Sequence, residues 1–395
     1  MAENTDVIVV GGGYAGVMAA NRLTQRDDVT VTLINPRPAF VERIRLHQLV
    51  GGSHGAVAEY REVLADSVRL KVDTVTSIDA ADRTVTLESG GRVAYDYLVY
   101  AVGSGSDDPR VPGAAEFAYS VTGLEEAERL RPVVAAASTV TVVGAGPTGI
   151  ETAAELAEQG RAVTLVCGGV LGPYLHPRGR RSVAGRLARL GVTVIDGPDS
   201  EVTAVTDGSV ELSGGRTVPG EVAIWTAGFG VPDLARRSGL STDAVGRLLT
   251  DETLTSVDDA RIVAAGDSAA PSDRPFRMSC QAAGPLGAQA ADTVLSRIAD
   301  REPERVGVVF AGQCLSLGRR TAIFQFSGKD DTAKGLYLGG RLGAKLKEFI
   351  CRHTLKQLAG EAAKPGSYVW RKDDRRREAP AAERDETETT AERAA

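Results

Sequence analysis

Two glycine-rich turns carry the residues best suited to chemistry. The first, Gly11-Gly12-Gly13-Tyr14-Ala15-Gly16, follows the apolar run 6–10 and precedes a helical pattern over 17–25 and a second apolar run over 29–34. The second, Gly144-Ala145-Gly146-Pro147-Thr148-Gly149, follows the run 139–143 and precedes a helical stretch to about 159, a stop at Gly160 and the run 162–166. Each is a strand–turn–helix–strand unit of the right length. In such a unit the first glycine allows a sharp turn, the second lets a pyrophosphate approach the backbone, and the third lets helix and strand pack closely. The helix N-terminus then offers free N–H groups and partial positive charge to phosphate. Pro147 falls at the first helical position, where its missing N–H costs nothing.

A single turn of this kind can be a glycine-rich loop without a ligand. Two, each in full context, imply two dinucleotides. Two dinucleotides on one chain suit electron transfer between a tight flavin and a diffusible nicotinamide. The rest of the composition agrees. The chain has 395 residues, 43% hydrophobic and 25% charged, with 45 glycines, enough for two or three domains with sizeable cores. A net charge of −6 argues against nucleic acid as a partner, since that surface needs clustered excess cations. The four cysteines, Cys167, Cys280, Cys314 and Cys351, form no CxxC pair, so neither a metal site nor a local redox disulfide is signalled. No basic and apolar leader precedes the first strand, and no run reaches about 18 apolar residues, so the expected location is the cytoplasm.

These turns need elements to hold them. Residues 72–78, 84–87 and 97–101 have strand patterns, as do 192–195, 202–205, 210–212, 222–225 and 261–265, and 281–298 is helical. The expected fold is α/β, with two Rossmann-like dinucleotide-binding domains and a smaller α+β C-terminal domain. The first domain is discontinuous, 1–110 with 250–303; the second covers 111–249; the third covers 304–370. In the third, 306–311, 314–317 and 322–326 are expected strands and 341–358 a helix, with 371–395 a disordered charged tail. The 341–358 helix puts Leu342, Leu346, Phe349, Ile350 and His353 on one side among Arg and Lys. It can lie on an anionic membrane, or pack on its own sheet.

On these motifs the chain resembles the two-dinucleotide-binding-domain flavoproteins, the pyridine nucleotide-disulfide oxidoreductase superfamily. It is most similar there to type II NADH dehydrogenases and apoptosis-inducing-factor-like quinone reductases. The resemblance implies that Gly11, Gly13, Tyr14, Ala15 and Gly16 hold FAD, and that Gly144, Gly146, Pro147, Thr148 and Gly149 hold NAD(P)H. It implies that Ala101 and Gly103 return to the FAD site, that Gly266 and Asp267 meet the ribityl chain, and that Gly228 reaches a cofactor. Glu151 matches a glutamate beside the nicotinamide, although it can equally be a solvated first-turn carboxylate. Asp267 can equally be a helix N-cap. The implied reaction passes hydride from NAD(P)H to FAD N5 and two electrons to a small-molecule acceptor, with quinone favoured. The same scaffold serves ferredoxin and rubredoxin reductases and nicotinamide-responsive binding proteins, and it allows a homodimer.

The chain also departs from the family pattern. The acidic residue that takes ribose hydroxyls is Asn35 in the first unit and Cys167 in the second. Asn35 can still bond an adenosine ribose. Cys167 cannot replace a carboxylate, so NADPH becomes admissible, and Arg178, Arg180 and Arg181 follow nearby or form a solvated turn. No cysteine lies between residues 35 and 55, so electrons should leave the flavin without a disulfide. Type II NADH dehydrogenases carry Ala-Gln-x-Ala-x-Gln at the quinone site. Here Cys280-Gln281-Ala282-Ala283-Gly284-Pro285 keeps the first glutamine, so Gln281 joins Glu151 as a candidate catalytic residue and is itself also a candidate cofactor contact. Arg43 or Arg45 matches phosphate geometry, or pairs with Glu42 or Glu59. His47 is expected to be packed or exposed rather than catalytic.

Overall fold

The computed structural model describes residues 4–106 and 110–373. Most of the expected charged tail lies outside the described residues. Two five-stranded sheets, parallel throughout, organise the molecule. The first contains β1 (Thr5–Val10), β2 (Val29–Asn35), β3 (Arg69–Val72) and β4 (Tyr97–Tyr100). Its remaining strand, which lies beside β4, comes from far along the chain at Ile262–Ala264. Helix α1 (Tyr14–Leu23) joins β1 to β2, and the short α2 (Leu46–Val50) follows. The second sheet runs in the order β5 (Ala118–Ser120), β9 (Val222–Trp225), β6 (Thr139–Val143), β7 (Ala162–Val166) and β8 (Thr193–Ile195). Helices α3 (Pro147–Glu158) and α4 (Pro177–Arg189) connect β6, β7 and β8. Buried Val, Ile and Leu fill the central strands, as sheets covered on both faces require.

Each sheet is interrupted by a three-stranded antiparallel meander, at 75–94 in the first and 202–219 in the second. The expected strand 72–78 is in fact two strands on different sheets. β3 ends at Val72, and a new strand starts at Val75. Between them Asp73 accepts from its neighbour Thr74 N–H at 2.8 Å and from Ser89 Oγ at 2.6 Å, which turns the chain.

The C-terminal region holds an antiparallel sheet of β10 (Gly312–Ser316), β11 (Ala322–Ser327) and β12 (Ala333–Gly339). The expected strand at 306–311 has no ladder. Its alternating Val306, Val308 and Phe310 are buried in the first core, while Trp370 Nε1 donates to the Gly307 carbonyl at 3.1 Å. The apolar alternation therefore reports burial without a partner strand. Helix α5 (Cys280–Ile298) lies on α1, and α6 (Gly340–Ala363) closes the chain. The inward side of α6 carries Gly343, Lys347, Cys351 and Leu358, and a Cβ at Gly343 would sit 2.5 Å from the Ala322 carbonyl oxygen. Leu342 and Phe349 point outward, 64% and 61% exposed. In its first half, up to Phe349, the helix therefore packs through Gly343 and Lys347 and turns two large apolar side chains outward.

Candidate active site

The two glycine turns show the same three roles. Gly11 and Gly144 have φ of +105° and +114°, which side chains avoid. A Cβ at Gly16 or Gly149 would lie 1.8 or 1.9 Å from the carbonyl oxygen of Gly11 or Gly144. A Cβ at Gly13 or Gly146 meets nothing within 4 Å. Both cap their helices without a side-chain hydrogen bond, so the first-turn N–H groups are free to hold an anion. Pro147 occupies the first turn of α3, as expected, with Thr148 after it. Ala101 and Gly228 stand by their turns: the Ala101 carbonyl oxygen would be 2.3 Å from a Gly11 Cβ, and Thr226, two residues before Gly228, holds the Val143 carbonyl at 2.7 Å.

Around the first turn the side chains fit a bound dinucleotide. Arg43 Nη1 donates to the Ser104 carbonyl at 2.7 Å and lies by Gly103. Burial holds its guanidinium below the ordinary arginine range, and it has no carboxylate ion pair among the described residues. Glu42 is taken by Arg45 at 3.1 Å and Glu59 by Arg61 at 2.9 Å. Arg45 also pairs with Glu348 at 3.0 Å, which removes it as a phosphate ligand. Arg43 is left as a cation suited to phosphate. The Tyr14 hydroxyl is buried with no partner among the described residues, its ring edge-on to Phe40 at 5.0 Å. A buried polar group in this state fits a ligand atom.

Asp267 lies in the short turn Gly266–Ser268 and accepts from Ser104 Oγ at 2.7 Å. It is not the cap of α5, which is Ser279. Ala15 packs under α5, where a Cβ at Gly287 would be 2.2 Å from its carbonyl oxygen. Asn35 Oδ1 accepts from Gly12 N–H at 3.0 Å and Nδ2 donates to the Arg37 carbonyl at 2.9 Å. It shapes the turn and keeps one lone pair and one N–H for a ribose. Gln281, oriented to satisfy both neighbours, accepts from Ala311 N–H at 2.9 Å and donates to the Gly312 carbonyl at 3.1 Å. Its amide therefore anchors the entry to β10.

Glu151 is not a solvated first-turn carboxylate. It is buried, and its Oε1 accepts from Lys347 Nζ at 2.9 Å, Ser316 N–H at 2.8 Å and Ser316 Oγ at 3.1 Å. Burial would raise the carboxyl, but the Lys347 ammonium, with His47 and Ser316, holds it below its ordinary value. Burial likewise disfavours the Lys347 ammonium, yet Glu151 holds it above the usual lysine range. His47 is fully enclosed and pushed down to about 4 by burial, so it is neutral, with Nε2 at 3.0 Å from Ser316 Oγ. Three separate stretches of chain, from α2, α3 and the C-terminal region, meet in this network.

Lys347 and Ser316 were not legible as site residues. One sits in a basic helix and the other in a short strand, and only tertiary packing brings them to Glu151. Tyr174, whose buried hydroxyl has no partner among the described residues, belongs with them; the carboxylate of Glu151 lies close enough to add to the rise that burial causes in its pKa. All four cysteines are free. Burial pushes the Cys280 and Cys314 thiols up to about 11 and about 12, so both are protonated at neutral pH.

Comparison with known proteins gives the family and the fold. The pyridine nucleotide-disulphide oxidoreductase model matches residues 5–290. An NADH dehydrogenase-like protein of Mycobacterium tuberculosis is 31% identical over 357 residues, covering 81% of this chain and 87% of that protein. A type II NADH:quinone oxidoreductase of the same organism is 29% identical over 316 residues, covering 67% of each chain. Among solved structures, the sulfide:quinone oxidoreductase of Aquifex aeolicus superposes with a TM-score of 0.77 at 20% identity, covering 92% of this chain and 93% of that one, a likeness of fold. The chain thus belongs to the pyridine nucleotide-disulphide oxidoreductase family and is an oxidoreductase that uses FAD and NAD(P)H.

Proposed function

We propose that this protein is an NAD(P)H:quinone oxidoreductase working at a membrane surface, with FAD on the first glycine turn and the nicotinamide dinucleotide on the second. FAD supplies the hydride-accepting and electron-passing chemistry when bound. The free N–H groups after Gly13 and Gly146 bind the two pyrophosphates, and Arg43 adds a cation to the first. Glu151, held as a carboxylate by Lys347, fixes α3 against the C-terminal sheet and so sets the approach of one bound dinucleotide to the other. The division into 1–110 with 250–303, 111–249 and 304–370 follows this assignment.

One observation carries the choice of acceptor. The helix that sends Lys347 inward to Glu151 carries Leu342 and Phe349 outward, among Lys345, Arg352 and Lys356. Such a face suits an anionic lipid surface, where a quinone would be met. Among the described residues no helix is long and apolar enough to cross a membrane, so the contact would be peripheral. The test is anaerobic reduction by NADH and NADPH followed by mixing with a soluble quinone or with ferredoxin. Rapid reoxidation by quinone is expected. Reoxidation by ferredoxin alone would refute the quinone reading, and vesicle binding unchanged in a Leu342→Asp/Phe349→Asp variant would refute the membrane-facing role of this helix.

A further inference from the structure

The second unit lacks the carboxylate that normally ends its second strand, since Cys167 stands there. The neighbouring strand supplies one. β7 and β8 pair in register as Thr164 with Thr193, Leu165 with Val194 and Val166 with Ile195. The next step of that register sets Cys167 beside Asp196, and Cys167 N–H donates to the Ile195 carbonyl at 2.9 Å. The two loops are tied beyond this point. Gly197 N–H donates to the Gly169 carbonyl at 2.6 Å, and Gly169 N–H donates to Ser200 Oγ at 2.9 Å. Asp196 is exposed and makes no hydrogen bond or ion pair among the described residues. Its carboxylate is close enough to add to the rise that burial causes in the Cys167 thiol.

Of the arginines that follow this strand, Arg180 is committed to backbone. Arg180 Nη2 contacts the carbonyls of Gly172, Pro173 and Leu175 at 3.3–3.4 Å. Arg178 and Arg181 line a cleft with Ser182 and with Gly335, Leu336 and Tyr337 of β12. At the ends of β7 and β8 themselves the charge is that of Asp196.

We infer that Asp196, on the edge strand, takes over the role of the missing acid, selecting the unphosphorylated adenosine ribose of NADH and repelling the 2′-phosphate of NADPH. This rests on the second glycine turn holding the nicotinamide dinucleotide. A hydroxyl-bearing ribose gains an acceptor from Asp196, whereas a 2′-phosphate meets a like charge beside it.

Two measurements on the flavin-loaded protein test the assignment. One is the ratio of kcat/KM for NADH and NADPH. The other is calorimetric binding of ADP-ribose and 2′-phospho-ADP-ribose, which does not depend on turnover. The unphosphorylated ligand should be favoured by about tenfold to a hundredfold in both. Asp196→Asn should lose most of that ratio, while Asp196→Glu should keep it. A wild-type preference for the phosphorylated ligand, or a ratio unmoved by Asp196→Asn, would overturn the role of Asp196 alone. Binding of neither ADP-ribose compound would instead overturn the assignment of the second turn.

Discussion

Replacing Lys347 by methionine should destabilise the protein by about 3 kcal/mol at neutral pH, the lower end of the cost of orphaning one member of a buried pair. The structure sets that figure. The Lys347 and Glu151 side chains are 12% and 8% exposed, so solvent screens the pair little. Without Lys347, Glu151 keeps two neutral donors from Ser316, at 2.8 and 3.1 Å, which limits the cost. For a chain of 395 residues, an unfolding entropy of about 2.1 cal/mol/K per residue turns about 3 kcal/mol into a fall of roughly 4 °C in Tm. The pH dependence has a definite sign. Glu151 has a depressed folded pKa, so in the wild type its contribution is present above the unfolded carboxyl value and lost only as pH falls through the lower folded value. In the variant Glu151 can take a proton, so the deficit should shrink as pH falls from about 8 to about 5. Glu151→Gln/Lys347→Met removes both charges and should recover more than half of the loss. The assay is thermal unfolding of the flavin-loaded protein by circular dichroism. A Lys347→Met variant melting within about 1 °C of wild type at about pH 8 would refute the coupling, as would a double variant no more stable than the single one.

Other outcomes follow from the glycine turns and buried groups. Gly13→Ala should fold normally but lose FAD affinity by at least about tenfold, whereas Gly16→Ala, with its 1.8 Å clash against backbone, should lose about 3 kcal/mol or fail to fold; flavin content and thermal melts separate the two. Arg43→Met should weaken FAD binding by about tenfold and flatten its salt dependence, measured by flavin fluorescence on reconstitution. Glu155 is buried, with Oε1 accepting from Ser53 Oγ at 2.6 Å and Oε2 unpartnered among the described residues, and burial raises its carboxyl pKa. Its favourable contribution is present below the unfolded value and lost as pH rises through the folded one, so Glu155→Gln should melt above wild type at about pH 8, the gap closing near about pH 4. A gap that widens towards acid would contradict this sign.

The glycine turns were legible because their constraints are local. A positive φ at Gly11 and open space at Gly13 are set within a few residues of chain, and the flanking strands announce themselves by composition. The fold class followed from repeating that unit. What stayed hidden was assembled over long separations. The network of His47, Glu151, Ser316 and Lys347 draws on three distant stretches of chain, and nothing near Lys347 marks it as a lysine that gets buried. Apolar patterning misled at residues 306–311, which alternate like a strand but find no ladder, and at 72–78, which is two strands. Gln281 matched a motif, yet its amide is committed to backbone at Ala311 and Gly312.

The placement of α2 has a broader consequence. Leu46, Leu49 and Val50 belong by sequence to the first sheet's segment, but their side chains sit in the second sheet's core with Ile150 and Ala154. Leu315, Leu317 and Ile323 enter the same core from the C-terminal side. A fragment cut at the obvious linkers would therefore carry an open greasy wound and aggregate. The half built on the second sheet is a tenant of the whole chain, and it could not be exchanged as a self-contained cassette without re-sealing that surface.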